Sequence, residues 1–468
     1  MRTRLQKVRS VWLLGLIFLA VCAMSTTPVC AQQQTAGEAA RGGQEIRKEE
    51  DIKKGVNLCA GCLAPIYTTE GKGSFTPYGR IELDAIYSTR NTNPLDPAQF
   101  NGYGTAAGTQ HNSSSTLNPR YSVFGLRADR TDGVHYLTGV VEMDFYGQTD
   151  NANNLPPRLR LAYMKYSPNN NKTTITIGQD WNPIMSLLND DIDFSIMGYT
   201  GNLWNRLPQV TLRHNFTENV EWLVTAMRFE RGLSNCCGNV QVRPTNTGIN
   251  GGGPTNSAPF NDPVQVPYFG TRVAYNGTGN LAGTMVAANV AYRWYRSAPT
   301  PASNILQTPG KDINSYVVGL EAVHQLTKQF KVMWELAYGQ ALGNEWFRWN
   351  QDLNWLTGSA VRATTAWVQL SYAYSKNYTF LFGYGIDNPL DRDLKGSINP
   401  YGAGGVNSNI QYLSNQRTYL TVIRPIWADF YSGFEWQHFW TNWAQPTTVT
   451  SQLKNEANMF TLSAWYNF

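Results

Sequence analysis

The 468 residues include 25 Tyr, 19 Phe and 15 Trp yet are only 15% charged, too many large rings and too few charges for a disordered chain. Beyond the first residues no apolar run approaches the ~20 needed to cross a bilayer as a helix, which excludes a multi-helix membrane protein. The formal charge of +5 belongs mostly to the N-terminus: Arg2, Arg4, Lys7 and Arg9 fall within residues 1–31 with no acid, leaving 34 basic against 33 acidic residues beyond, so nothing recommends nucleic acid as a partner.

In chain order, the basic start is followed by an uncharged run from Val11 to Met24, and Val29-Cys30-Ala31 closes the segment before Gln32. This is the layout of a secretory signal peptide over 1–31, its apolar middle too short to span a membrane. Residues 32–73 are then expected as a short periplasmic segment. Glu45 to Lys54 is a charged stretch, a short helix at most and too small for the folded plug of an active transporter. Cys59 and Cys62 are expected to close a small disulfide loop in an oxidising periplasm rather than form a redox or metal motif.

From Ser74 to Phe468 the chain reads as strands of about ten residues, the length a tilted strand needs to cross a bilayer. In the first, Ile81, Leu83 and Ala85 alternate with Arg80, Glu82 and Asp84; further on, Leu159, Leu161 and Tyr163 oppose Arg158 and Arg160. In the last, Phe460, Leu462, Ala464, Tyr466 and Phe468 share a face opposite Thr461, Ser463 and Asn467. Period two means strands with one apolar face each. A final amphipathic strand ending in Phe468 also resembles the terminal signal read by the outer-membrane assembly machinery.

The connections alternate in length. Short turns fall at 131–133, 167–172, 217–219, 276–280, 327–329, 376–377 and 425–428; between them lie long Gly-, Pro- and Asn-rich connections at about 91–119, 147–157, 180–207, 231–266, 296–313, 340–360, 387–415 and 441–455. Fifteen connections imply 16 strands. The expected fold is therefore all-β, a transmembrane antiparallel up-and-down barrel with short periplasmic turns and long extracellular loops. Hydrocarbon offers no hydrogen-bond partner, so extended chain can lie there only if every strand pairs and the sheet closes. A barrel this wide leaves an aqueous channel.

Catalytic chemistry finds little footing. None of the five histidines makes a metal-ligand pair, and neither a nucleophile elbow nor a phosphate-binding loop is present, so no reaction, metal or cofactor is expected. Cys236 and Cys237 sit together in a long outer loop without a deducible role. What remains is lumenal charge. If the apolar face of each strand meets lipid, Arg80, Arg158, Arg160 and Arg213 point inward, as do Glu82, Asp84, Glu142 and Asp144; a charge on the lipid face near mid-membrane would cost about 2–4 kcal/mol. The third long loop, Asp180 to Leu207, is the expected constriction. It carries Asp190, Asp191 and Asp193, and its apolar pairs Ile184-Met185 and Ile196-Met197 need a surface to pack on, which folding inward would supply.

The stretch Tyr78-Gly79-Arg80-Ile81-Glu82-Leu83-Asp84-Ala85-Ile86-Tyr87 resembles the first strand of the DcaP-like outer-membrane porins. Arg120 to Arg127, Val141 to Gly147 and Arg158 to Tyr163 are similar to the next three, and Gly178 to Trp181 with Arg206 to Arg213 resemble the pattern around the third loop. The likeness runs in order over about 75–216 and rests beyond that on strand alternation alone. It implies a homotrimer of 16-stranded barrels in the outer-membrane lipid, passing small-molecule anions with dicarboxylates favoured, and it points to Arg158, Arg160, Arg206 and Arg213 for anion contact. The chain departs from that family at its N-terminus, where 36–74 lacks the apolar heptads of a coiled coil. The expected function is a passive diffusion channel; the alternative is an adhesin or envelope anchor with binding loops and no open channel.

Overall fold

The computed structural model describes residues 66–67, 72–90, 92–93, 100–101, 113–146, 156–168, 172–228, 266–296, 311–343, 346, 354, 359–394, 412–443 and 453–468. Residues 1–31, expected to be a signal peptide, and Cys59, Cys62, Cys236 and Cys237 lie outside the described residues.

Sixteen strands run up and down in sequence order: β1 (Gly73–Ser88), β2 (Val123–Thr131), β3 (Tyr136–Asp144), β4 (Arg158–Ser167), β5 (Thr173–Trp181), β6 (Arg206–Asn215), β7 (Val220–Met227), β8 (Tyr268–Asn276), β9 (Met285–Arg296), β10 (Asp312–Gln325), β11 (Phe330–Gln340), β12 (Arg362–Ser375), β13 (Tyr378–Pro389), β14 (Tyr412–Trp427), β15 (Phe430–Trp443) and β16 (Leu453–Asn467). Each pairs antiparallel with the next, and β1 pairs with β16 from Arg80 opposite Asn467 to Ser88 opposite Met459, so the sheet closes on itself. Closure gives every strand two neighbours and removes the unpaired edges that hydrocarbon would penalise. At the seam the Phe468 N–H donates to the Gly79 carbonyl and the Gly79 N–H to that of Phe468. Just beyond, the two-residue strand Ile66–Tyr67 pairs with Phe75 and Ser74. No helix among the described residues is long and apolar enough to cross a membrane.

Two local features depart from the sequence reading. Ser114–Asn118, expected within the first long connection, is instead a strand paired with the upper part of β1, so that β2 is an interrupted strand. The break falls at Pro119 to Ser122, where proline lacks an N–H for the ladder. The Ser122 hydroxyl repairs it, accepting the Glu82 N–H at 3.0 Å and donating to the Glu82 carbonyl at 3.3 Å.

The second departure is in β4. Leu161 and Tyr163 do not share the lipid face with Leu159; both are buried on the lumenal side with Arg160. The pairing of β3 and β4 shifts by one residue between Glu142 and Met143, which leaves Arg160 as the extra residue of a bulge. One inserted residue flips the parity of a strand, so odd positions face inward on one side of the bulge and even positions on the other.

Further register shifts fall between Ala373 and Ser375 in β12 and, in β14, between Tyr412 and Ser414 and between Pro425 and Trp427; in β1 the alternation holds. Ile81 and Leu83 are 54% and 50% exposed on the outer wall, whereas Glu82 between them is 1% exposed. Phe124, Val141, Val210, Val273, Val318, Leu336 and Phe382 continue the apolar exterior around the ring. The large clusters of buried apolar residues lie inside the barrel, between the inner wall and the segment that joins β5 to β6.

Candidate functional site

The segment Asn182–Asn205 lies against the inner wall. Its Ile184, Met185, Leu187, Leu188, Ile192 and Trp204 are all 4% exposed or less. Burying each such side chain contributes about 1.5–3 kcal/mol. They pack on small or apolar inward positions: Ile184 and Met185 share a cluster with Leu223, Ala291, Val317 and Ala337, and Leu187 and Met197 share one with Met333, Trp367 and Tyr419. Glycines make room for the chain. A Cβ on Gly319 would stand 2.4 Å from the Met185 sulfur, and one on Gly385 would stand 2.1 Å from the Thr200 carbonyl oxygen.

Polar wall residues hold the same segment. The Arg417 guanidinium is wholly buried and reaches Asp193, Asp191 (3.3 Å), the Ser195 hydroxyl (2.7 Å) and Gln437 (3.3 Å). Asp190 accepts from Lys331 at 3.0 Å and from the Gln369 amide at 2.9 Å, while its own N–H donates to the Gln369 carbonyl oxygen at 2.8 Å. The Ile192 N–H donates to Glu435 at 3.0 Å, and Met185 N–H to Asn289 at 3.2 Å. All three loop aspartates are thus turned toward wall groups.

On the opposite wall the expected site residues come together. Arg158 grips Asp144 with two donors, Nε at 3.0 Å and Nη2 at 2.6 Å. Arg160 donates to Glu142 at 2.7 Å and to Asp144 at 3.4 Å, and Arg206 stands 3.6 Å from the same Asp144 oxygen. The Tyr78 hydroxyl donates to Glu142 at 3.0 Å. Three guanidinium groups therefore face two carboxylates, a local surplus of positive charge. Phe194, from the loop segment, sits in their midst. Its ring centroid is 5.5, 6.0 and 5.8 Å from the guanidinium carbons of Arg158, Arg160 and Arg206, and it stacks on Tyr146 at 4.0 Å. Among the described residues, Arg158 Nη1, Arg206 Nη1 and the Trp181 indole nitrogen are buried donors without a hydrogen-bond acceptor.

Arg80 borders this cluster across the Tyr121 ring, which lies 5.5 Å from Arg80 and 6.0 Å from Arg160. It is bound to Glu82 at 3.0 Å, and Asp84 accepts from the Ser463 hydroxyl. Arg213 does not join them. Its side chain is 41% exposed next to the short turn after β6, paired with Glu221. The alternation puts it on the correct face but cannot tell height along the barrel, and seven residues, about 23 Å of extended strand, separate it from Arg206.

Sequence reasoning missed Arg417, Lys331, Gln369, Glu435 and Phe194. The wall residues carry a signal, since each is an inward position of an alternating strand, but nothing local pairs them with a loop more than a hundred residues away. A second inward element was also missed: Trp346, from the connection after β11, is fully buried edge-on to Tyr268 at 5.3 Å.

No protein-family model and no curated protein matches the sequence. Solved structures do. The chain is similar to the crystal structure of the outer membrane channel DcaP of Acinetobacter baumannii, with a TM-score of 0.62 and 16% identity, covering 87% of this chain and 100% of that one. It is also similar to the high pH structure of Pseudomonas putida OprB, with a TM-score of 0.53 and 10% identity over 85% and 94% of the two chains. At these identities the likeness is one of fold, and the fold is that of the outer-membrane porins.

Proposed function

We propose that this protein is an outer-membrane porin, a passive diffusion channel for small hydrophilic solutes in which carboxylates, and dicarboxylates in particular, are favoured. The observation that carries the reading is the guanidinium surplus of Arg158, Arg160 and Arg206, held inside a closed barrel whose outer wall is apolar. A solute partitions into the wet lumen, passes the narrowing made by Asn182–Asn205, and meets donors that lower the electrostatic barrier for an anion. Arginine suits the task because its planar fork matches a carboxylate bidentately. Arg80 lines the approach, and Glu82, Asp84, Glu142 and Asp144 balance the wall and keep the guanidinium groups in position. Asp190, Asp191 and Asp193 act on passage indirectly, by fixing the constricting segment.

In this reading residues 1–31 direct export, 32–73 form a short periplasmic segment with Cys59 and Cys62 disulfide-bonded, and 74–468 form the barrel, which assembles as a homotrimer. The test is bilayer conductance of the purified protein with succinate or phthalate as competitor, together with the reversal potential in a salt gradient. A steady open current with anion preference is expected, and the double variant Arg158→Ala, Arg160→Ala should lower that preference severalfold. Unchanged selectivity would remove both residues from the site. Absence of any steady current would favour the adhesin or envelope-anchor reading.

A further inference from the structure

Among the described residues, five aromatic rings face the guanidinium groups of Arg158, Arg160 and Arg206, and four of them belong to the wall. Tyr146 lies 5.7 Å from Arg158, Tyr121 and Trp181 lie 6.0 and 5.9 Å from Arg160, and Trp181 and Trp204 lie 5.3 and 5.7 Å from Arg206. Tyr121 stands just before β2, Tyr146 just after β3, Trp181 ends β5, and Trp204 stands just before β6. The fifth ring is Phe194, from the middle of the segment 182–205. It alone of the five approaches all three guanidinium groups.

Phe194 is closely packed. It stacks on Tyr146 at 4.0 Å and meets Tyr121 and Trp204 edge-on at 5.0 and 6.3 Å. It is 3% exposed, and Arg160 and Arg206 beside it are 2% and 8% exposed. The chain on either side is tied down: Asp193 to Arg417 across the lumen, and the Ser195 carbonyl to the Trp204 indole N–H at 2.8 Å. The ring thus fills the ground next to all three cations, where a carboxylate would have to stand to bond them. A ring face offers a cation only its quadrupole, whereas a carboxylate offers a full charge and two acceptor oxygens. For a guanidinium group the ring is the weaker partner, but it is already in place.

We propose that Phe194 is a specificity-determining residue of the pore, an internal competitor that a solute carboxylate must displace to reach Arg158, Arg160 and Arg206. Resting on the channel reading above, this role sets how strongly the cluster holds what it attracts. Three uncovered guanidinium groups would retain a doubly charged solute, whereas conduction needs binding weak enough to let it leave. With the ring in place, apparent affinity falls in proportion to the fraction of time that the cluster is uncovered. The ring weakens binding and speeds release.

The test uses the full-length protein in bilayers and in detergent. In bilayers, succinate should block the current of Phe194→Ala at severalfold lower concentration than that of wild type, with longer blocked events. Block no tighter than in wild type would overturn the proposal, since mere loosening of the segment widens the pore and weakens block. In detergent, phenylglyoxal should label Arg160 and Arg206 severalfold faster in Phe194→Ala than in wild type, read by mass spectrometry of the peptides. Ile184→Ala removes packing from the same segment on its β7–β11 side and should leave both arginines protected. Equal labelling of wild type and Phe194→Ala, or labelling of Ile184→Ala as fast as that of Phe194→Ala, would be equally fatal. Should Phe194→Ala fail to assemble, Phe194→Val, shorter and without the flat face, should show both changes, and their absence there would count in the same way. If no protein passes current, the channel reading fails, while the labelling still decides whether the ring covers the cluster.

Discussion

On the β1–β6 side of the lumen, charged side chains are matched within the wall: Arg158 with Asp144 on the neighbouring strand, Arg160 with Glu142, Lys165 with Asp180. On the β8–β15 side they reach across to another part of the chain, Arg417 to Asp191 and Asp193, Lys331 to Asp190, Glu435 to the Ile192 backbone. The residue types are the same and the inward direction is the same. One wall gathers three guanidinium groups around two carboxylates and Phe194, and the other commits Arg417, Lys331, Gln369 and Glu435 to holding the constricting segment in place. An inward charge is therefore paired within its wall or made a latch according to what lies opposite it, and substitutions should behave differently on the two sides.

The largest effect is expected at Arg417. Arg417→Ala leaves Asp191 and Asp193 buried without their cation, a loss of about 3–5 kcal/mol for a broken buried pair. The segment 182–205 should come away from the wall while the barrel itself stays folded. Limited proteolysis should then cut within that segment, and bilayer current should change in size. Resistance equal to that of wild type would mean that apolar packing alone holds the loop, and the contrast between the walls would shrink.

A smaller effect sharpens the same contrast through backbone approach. Gly385→Ala on β13 puts a Cβ against the Thr200 carbonyl, an overpacking cost of about 1–3 kcal/mol. Gly139→Ala on β3 meets nothing within 4 Å and serves as the neutral control. Thermal unfolding in detergent should separate the two variants, and equal midpoints would show that the loop yields freely at Gly385.

The smallest effect lies outside both walls, at the outer rim. Asp393, in the short helix α1 (Asp391–Leu394), accepts two donors from the Arg362 guanidinium, at 2.7 and 2.6 Å, and the Arg362 N–H at 3.1 Å. Those hydrogen bonds hold its carboxyl below the ordinary aspartate range. A depressed folded pKa adds stability that is full above the unfolded value of about 3.9 and disappears as pH falls through the folded value. The pair is open to water, whose screening keeps the effect small. Asp393→Asn should abolish that acid-range loss of rim stability, read as hydrogen exchange at Arg362 and Asp393, without altering exchange in either lumenal wall.

Much of this molecule could be read from its residues in order. Period-two alternation marks the strands, and the short and long connections give their number and direction, because pleat and turn chemistry act over a few neighbouring residues. Inward placement of Arg158, Glu142 and Asp144 follows from the same rule. Leu161 and Tyr163 escaped it because a single-residue bulge at Arg160 reverses parity, and a bulge is a property of two paired strands. Ser114–Asn118 escaped because a polar stretch beside Pro119 resembles loop until β1 supplies its partner.

What the linear order determined, then, was the ring of strands and which face of each meets lipid, since a charge misplaced into hydrocarbon is costly wherever the strand sits. What only the assembled barrel decided was the traffic across the lumen. Asp193 and Arg417 are 224 positions apart, and Phe194, one residue further, turns to the opposite wall among three arginines. Such partners are set by closure of the sheet, which brings distant inward positions to one height, and by the need of an irregular buried segment to find acceptors for its own backbone.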